Sequence, residues 1–299
     1  MDERLNAILA RVKKPARYAG GEYGAVKKDP ASVDVRIAFC FPDSYEIGMS
    51  HLGLKLLYAL WNAQEYIWCE RAFAPWPDME AEMRAAGLPL YALESQDPLR
   101  DFDVIGFTLQ YELCYTNVLN MLDLAGIPVY ARDRHELKNL VVAGGPCVCN
   151  AEPIADFIDL FMFGEGEEVS IELFDLYRRA KLEGWSKEAF LRRAADIPGI
   201  YVPCFYDVRY HDDGTVAAIT PRDGVPAVIT KRIVEDFDHT FIPEYFVVPS
   251  TEVVHDRVMV EVMRGCIRGC RFCQAGYTWR PVRSRSAETI IENAKKLAI

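Results

Sequence analysis

Between Val35 and about Lys181, short runs of apolar residues alternate with stretches in which apolar residues recur every three or four positions. VRIAFCF (35–41), DVIGFTL (103–109), LVVAGG (140–145) and DLFMFG (159–164) are short, mostly apolar runs and predict buried strands, with YIWCERAF (66–73) a weaker one. HLGLKLLYALWN (51–62), DMEAEMRAAG (78–87), TNVLNMLDLAG (116–126) and EEVSIELFDLYRRAK (167–181) follow a helical period between them. The alternation predicts an α/β domain over 35–185 with a doubly wound parallel sheet. Five strands so arranged suit a flavodoxin-like order, whose ligands bind beyond the carboxyl ends of the strands. That singles out the loops 42–50, 110–114, 144–150 and 164–168.

The flanks have a different texture. Residues 1–34 are basic and carry Gly and Pro, with one short helical pattern at Leu5, Ile8 and Leu9, and are expected to form an arm outside the core. Residues 186–255 are expected to be a linker. Within it FYDVRYHDDGTVAAIT (205–220) predicts a hairpin turning at Asp213-Gly214, followed by a Pro-punctuated stretch. The last segment, 256–299, opens with an apolar strand, RVMVEVMRG (257–265), and ends in a helical pattern capped by Ser286.

Composition narrows the class. At 299 residues the chain has room for about two domains. Its 51% hydrophobic and 26% charged residues exclude disordered, collagenous and low-complexity classes. With 34 Lys and Arg against 44 Asp and Glu, the net charge of -10 disfavours nucleic acid and anionic membrane surfaces as partners. The start, MDERLNAILARVKK, lacks the apolar core of a secretory signal, and no run of 18 apolar residues occurs, so a cytoplasmic protein with no membrane span is expected. In that reducing compartment the nine Cys point to metal or redox chemistry rather than disulfides.

Three of them are clustered. Cys266, Cys270 and Cys273 form C-x3-C-x2-C directly after the predicted 257–265 strand. Three thiolates can hold three irons of a [4Fe-4S] cluster and leave the fourth open to a small molecule. Zinc is the competing occupant, but it takes four ligands in paired knuckles, and no second C-x2-C or H-x3-5-H follows. Arg264, Arg268 and Arg271 around the cluster read, each alone, as a solvated face. Gly144-Gly145-Pro146 and Gly164-Glu165-Gly166-Glu167 fall at predicted strand ends, where glycines let a ligand approach the backbone. The glutamates suit hydroxyl or amide donors rather than a pyrophosphate. A plain alternative is that these glycines only turn the chain and the glutamates only favour a helix N-terminus. Cys147 and Cys149 read as pocket lining, and Cys40, Cys69, Cys114 and Cys204 as small buried hydrophobes.

The segment Arg264 to Cys273 resembles the radical S-adenosylmethionine (SAM) superfamily, whose C-x3-C-x-aromatic-C motif is matched by Cys266, Cys270, Phe272 and Cys273. The resemblance implies a [4Fe-4S] cluster whose open iron takes the SAM amine and carboxylate, with Phe272 beside it. It also implies that 256–299 is the first βα unit of a partial TIM barrel, and reductive cleavage of SAM with electrons from a donor such as flavodoxin or ferredoxin. Because a barrel takes roughly 200 residues, far more than follow Cys273, an N-terminal fragment that is inactive by itself is expected. Upstream, the VxGGP strand end at Val142 to Pro146 and the GEGE turn at Gly164 to Glu167 resemble the cobalamin (B12)-binding domain of one branch of that superfamily. This implies cobalamin contacts at Gly144, Gly145, Pro146, Gly164, Glu165, Gly166 and Glu167. The D-x-H-x-x-G motif that ligates cobalt in many cobalamin proteins is absent, and His51 reads as a helix-start residue. Radical transfer, methylation or rearrangement is the implied reaction class. A methylthiotransferase of RNA or protein and a non-catalytic redox-sensing module are the alternatives.

Overall fold

The computed structural model describes residues 3–222 and 224–298. Its centre is a mixed α/β unit with a six-stranded sheet in the order β2-β1-β3-β4-β5-β6. A short N-terminal helix, Glu3–Leu9 (α1), precedes β1 (Val35–Phe41), α2 (Leu52–Asn62), β2 (Ile67–Phe73), α3 (Pro77–Ala86), β3 (Val104–Thr108), α4 (Tyr115–Ala125), β4 (Leu140–Gly144), β5 (Leu160–Met162) and α5 (Gly166–Glu183). β1 to β5 run parallel. Their apolar runs are buried almost throughout because helices cover both faces. On one face Trp61 of α2 donates its indole N–H to Ser170 of α5 at 2.8 Å and packs edge-on against Phe174. The chain reverses direction across the sheet between β1 and β3, which places a crevice at their carboxyl ends.

Beyond residue 185 the structure adds elements to the expected linker. Lys187–Ala194 (α6) is a helix capped by Ser186, and Ile200–Tyr201 (β6) joins the sheet antiparallel to β5. Two residues are too few to show a period, so β6 leaves no sequence pattern. The hairpin forms as expected from Tyr206–Tyr210 (β7) and Val216–Pro221 (β8).

The N-terminal arm is not outside the core. Leu5, Ile8 and Tyr18 are buried with it, and α1 packs on α3. The reason lies at the exposed edge of β2, whose outward backbone groups need partners. Lys28 donates to the Ile67 carbonyl at 2.6 Å, Asn62 pairs with both the N–H and C=O of Cys69, and Glu94 and the Leu93 N–H satisfy Arg71. Arm and loop thus block the edge.

The strand expected over 257–265 is reduced to Met263–Arg264 (β9), which pairs antiparallel with Arg283–Ser284 (β10). A parallel barrel strand needs neighbours to complete its ladder, and among the described residues only β10 flanks this stretch; Val258, Val262 and Met263 stay about half exposed. The final helix, Ala287–Leu297 (α7), is capped as expected, the Ser286 hydroxyl accepting from the Thr289 N–H at 3.2 Å. No described helix is long and apolar enough to cross a membrane.

Candidate functional site

A cavity of about 390 Å³ opens at the carboxyl ends of β1, β3, β4 and β5 and runs down between the sheet and the α2/α5 layer. Its floor is apolar, formed by Phe39, Val104 and Val142 of the sheet with Leu57, Trp61 and Phe174 of the helices. Its rim carries Gly144, Gly145, Pro146, Gly164, Glu165, Gly166 and Glu167, so the two glycine turns singled out in the sequence meet around one space. Met263, Arg264 and Gly265, which lead straight into Cys266, roof it together with Trp279. Gly106 was missed in the sequence although it lies mid-strand, a placement that marks a close approach. A Cβ there would find only the Ala38 carbonyl, at 4.0 Å, and the residue faces the cavity.

The rim glycines differ in their duties. Gly145 has φ 99° and a Cβ on it would fall 2.6 Å from the Leu109 carbonyl oxygen; on Gly164, with φ 100°, it would fall 2.1 Å from that of Arg232. Both are therefore held against the protein's own backbone. Gly166 has no such constraint, as its nearest neighbour would be Leu57 at 3.4 Å.

The glutamates are already engaged, contrary to the expectation that they await a ligand's hydroxyl or amide. Arg283 clamps the Glu165 carboxylate with both terminal nitrogens, and the Val234 N–H donates to it at 2.6 Å. Burial acts to raise the Glu165 pKa, but Arg283, the Val234 amide and Arg264 outweigh it and hold the carboxyl below its ordinary value. Glu167 accepts from Arg264, which also pairs with Glu261 at 2.7 Å. Arg264 thus has no solvated-face role. Its guanidinium lies 4.9 Å from the centre of the buried Phe237 ring, with Arg283 and Arg285 at 5.5 and 4.3 Å. Arg268 and Arg271 are exposed, as the sequence suggested.

The Cys loop sits above this network. Gly265 has φ 102° and lies so close to Pro281 and Val282 that a Cβ would meet both at 2.8 Å. The Cys266 N–H donates to the Trp279 carbonyl at 3.0 Å. Lys231 binds the Thr278 and Arg280 carbonyls, each at 2.6 Å, tying the linker to the same loop. Cys266 and Cys273 are half-buried and Cys270 exposed. Three thiols on one accessible loop are the donor type an iron-sulfur cluster takes. The structure does not gather them, however: among the described residues no three His, Cys, Asp or Glu side chains come close enough to hold a metal ion. Phe272 points to solvent at 93% exposure and does not line the cavity.

Of the other cysteines, Cys40, Cys69, Cys114 and Cys147 are buried, whereas Cys149 and Cys204 are exposed, Cys204 because it sits in a surface turn, Pro203–Phe205. Burial and the Glu112 carboxylate push the Cys147 thiol up to about 12.

His51 is the N-cap of α2: its Nδ1 accepts from the Leu54 N–H at 3.1 Å, so the ring is a helix-start residue that also borders the cavity. Burial lowers its pKa, and a Gln110 hydrogen bond opposes this only in part. The native ring therefore stays neutral where the unfolded ring, with a pKa of about 6.5, takes up a proton. Stability contributed by this group is present above that value and is lost as pH falls below it toward the native pKa. His51→Asn keeps a capping side chain without the titration. Urea midpoints above and below about pH 6.5 should fall more steeply with acid for the parent protein than for the variant; equal slopes would show that His51 is not the titrating group.

A family profile described as "Radical SAM proteins, N-terminal" matches residues 53–203, just over half of the chain. The match covers the sheet from α2 to β6 and the cavity rim, and stops short of the Cys loop. A protein of Methanocaldococcus jannaschii named "Uncharacterized protein MJ0966" is 25% identical over 264 residues, which is 87% of this chain and 45% of that protein. The chain thus spans a little under half the length of this relative.

Proposed function

The chain belongs to the radical SAM proteins, as part of their N-terminal region, and from that membership we propose that it is the front portion of an enzyme that reductively cleaves SAM, with cobalamin as second cofactor. The observation that carries the reading is the position of Met263–Gly265: the residues leading into the cysteine motif form the roof of the cavity at the sheet rim. A cofactor in the cavity would therefore lie next to one held by Cys266, Cys270 and Cys273. The strand order β2-β1-β3-β4-β5 supports a flavodoxin-like domain of the cobalamin-binding type.

When bound, the cluster would supply the one-electron reduction of SAM. The protein's own residues have separate tasks. Cys266, Cys270 and Cys273 offer the three thiolates, and Gly265 and Gly269, both at positive φ, let the loop turn around them. Glu165 and Glu167 hold Arg283 and Arg264, fixing the loop's base over the rim rather than touching the ligand. The apolar floor takes a flat or aliphatic part of the cofactor and excludes water from it. His51, which borders the cavity, is engaged through Nδ1 as the cap of α2. The electrons would come from a small reducing protein such as flavodoxin or ferredoxin.

The test is anaerobic reconstitution with iron and sulfide. The parent protein should load one [4Fe-4S] cluster, and Cys266→Ala, Cys270→Ala or Cys273→Ala should each lose most of it. Undiminished iron and sulfide in the triple variant would sink the assignment.

A further inference from the structure

A second cavity, of about 470 Å³, lies away from the rim between α2, the arm and the 241–247 stretch of the linker. We infer that it binds a small organic carboxylate with a planar apolar body, the carboxylate pairing with Lys55. Lys55 lines this cavity from the first turn of α2 and is only 8% exposed. Among the described residues its ammonium meets no carboxylate at ion-pair distance and no hydrogen-bond acceptor; its one close polar-type contact is the face of Phe246, 5.8 Å from the ring centre. The Lys55 ammonium is not sealed from solvent but opens onto this cavity, and a positive charge enclosed on its other sides by protein without a counter-charge favours an anion there. An anion in the adjoining space supplies what the protein leaves out.

The surroundings define the ligand further. Burial and the nearby Arg71 both act to lower the Lys55 pKa, and the exposed Asp256 opposes them only from a distance. The Glu22 and Glu94 carboxylates both pair with Arg71 and neither reaches Lys55 at ion-pair distance. Tyr58 lies one turn along the same helix face; its hydroxyl accepts from the Val26 N–H at 2.8 Å, which leaves its own hydrogen to donate. Phe241, Tyr245 and Phe246 supply flat walls for an aromatic or conjugated body. Glu244 and Lys296 at the mouth cancel in formal charge, leaving Lys55 as the charge that decides the ligand's sign.

Benzoate is the probe, with inorganic phosphate as the alternative anion, titrated calorimetrically into the chain without cluster or SAM so that the outcome is independent of the radical SAM reading. Benzoate should bind saturably and more tightly than phosphate, and Lys55→Met should weaken it at least tenfold while leaving the circular dichroism and urea midpoint intact. Trace acylation with acetic anhydride, mapped by mass spectrometry, should mark Lys55 in the free protein and be suppressed by benzoate. No saturable binding of benzoate, equal affinity in Lys55→Met, or acylation at Lys55 unchanged by benzoate would each overturn the assignment. Tighter binding of phosphate would overturn the organic carboxylate as the occupant.

Discussion

Arg71→Met will lower the stability of the fold by about 3–5 kcal/mol, the usual cost of stranding a buried charge. The guanidinium bridges Glu94 at 2.7 Å and Glu22 at 3.0 Å, and all three side chains are at most 2% exposed. Its charged form is held above its ordinary pKa: burial opposes the charge, but Glu94 and Glu22 outweigh it. Without Arg71 two carboxylates would face each other in the core, with the Tyr45 hydroxyl as the remaining donor to Glu22. Glu22 belongs to the N-terminal arm, so the arm would also lose its grip on the edge of β2. The denaturant midpoint should drop with an unchanged slope. Adding Glu22→Gln and Glu94→Gln to Arg71→Met should recover part of the loss, because the stranded charges disappear with them. A drop below about 1 kcal/mol would place the triad among ion pairs that merely break even with an apolar core.

This triad shows where the sequence stops being readable. β1, β3 and β4 are legible because a strand covered on both faces is apolar at nearly every position, and VRIAFCF, DVIGFTL and LVVAGG are so apart from Arg36, Asp103 and Thr108. β2 is buried just as completely, yet it carries Glu70 and Arg71, whose partners Arg36, Glu22 and Glu94 come from distant segments. Its weak pattern reflects a charge network, not exposure, and the arm's burial follows from the same network. The site divides likewise. The cysteine spacing and the glycines at strand ends are local and visible in a single stretch of chain. The clamp of Arg283 on Glu165 spans 118 positions and the contact of Arg264 with Glu167 spans 97. No periodicity relates such residues, so the pairing of these glutamates with Arg264 and Arg283 at the base of the Cys loop leaves no mark in the local sequence. The short β6 and the irregular linker around Phe237 are set by tertiary contacts alone.

On the proposed cobalamin reading of the cavity, Gly166→Leu will weaken cobalamin binding by about tenfold to a hundredfold, the equivalent of the roughly 1–3 kcal/mol that overfilling a packed space costs. Gly166 opens α5 at ordinary helical angles and lines the cavity, so a side chain there must share the space with Leu57 and the ligand. The backbone itself is unstrained and the helix gains a better former than Gly. Stability should therefore hold, which makes this position a test of the cavity alone. Gly145 cannot serve that purpose despite its equal prominence in the sequence. Its positive φ and the Leu109 carbonyl oxygen, 2.6 Å from where a methyl would sit, mean that even Gly145→Ala must shift backbone, at a cost of about 1–3 kcal/mol in stability. Hydroxocobalamin added to each protein and followed through gel filtration by its visible spectrum separates the two effects. The expected pattern is retention by the parent protein, loss in Gly166→Leu at unchanged denaturant midpoint, and a lowered midpoint in Gly145→Ala. Equal retention by the parent protein and Gly166→Leu would remove the cavity from cobalamin binding, and no retention by the parent would remove cobalamin from the chain's function.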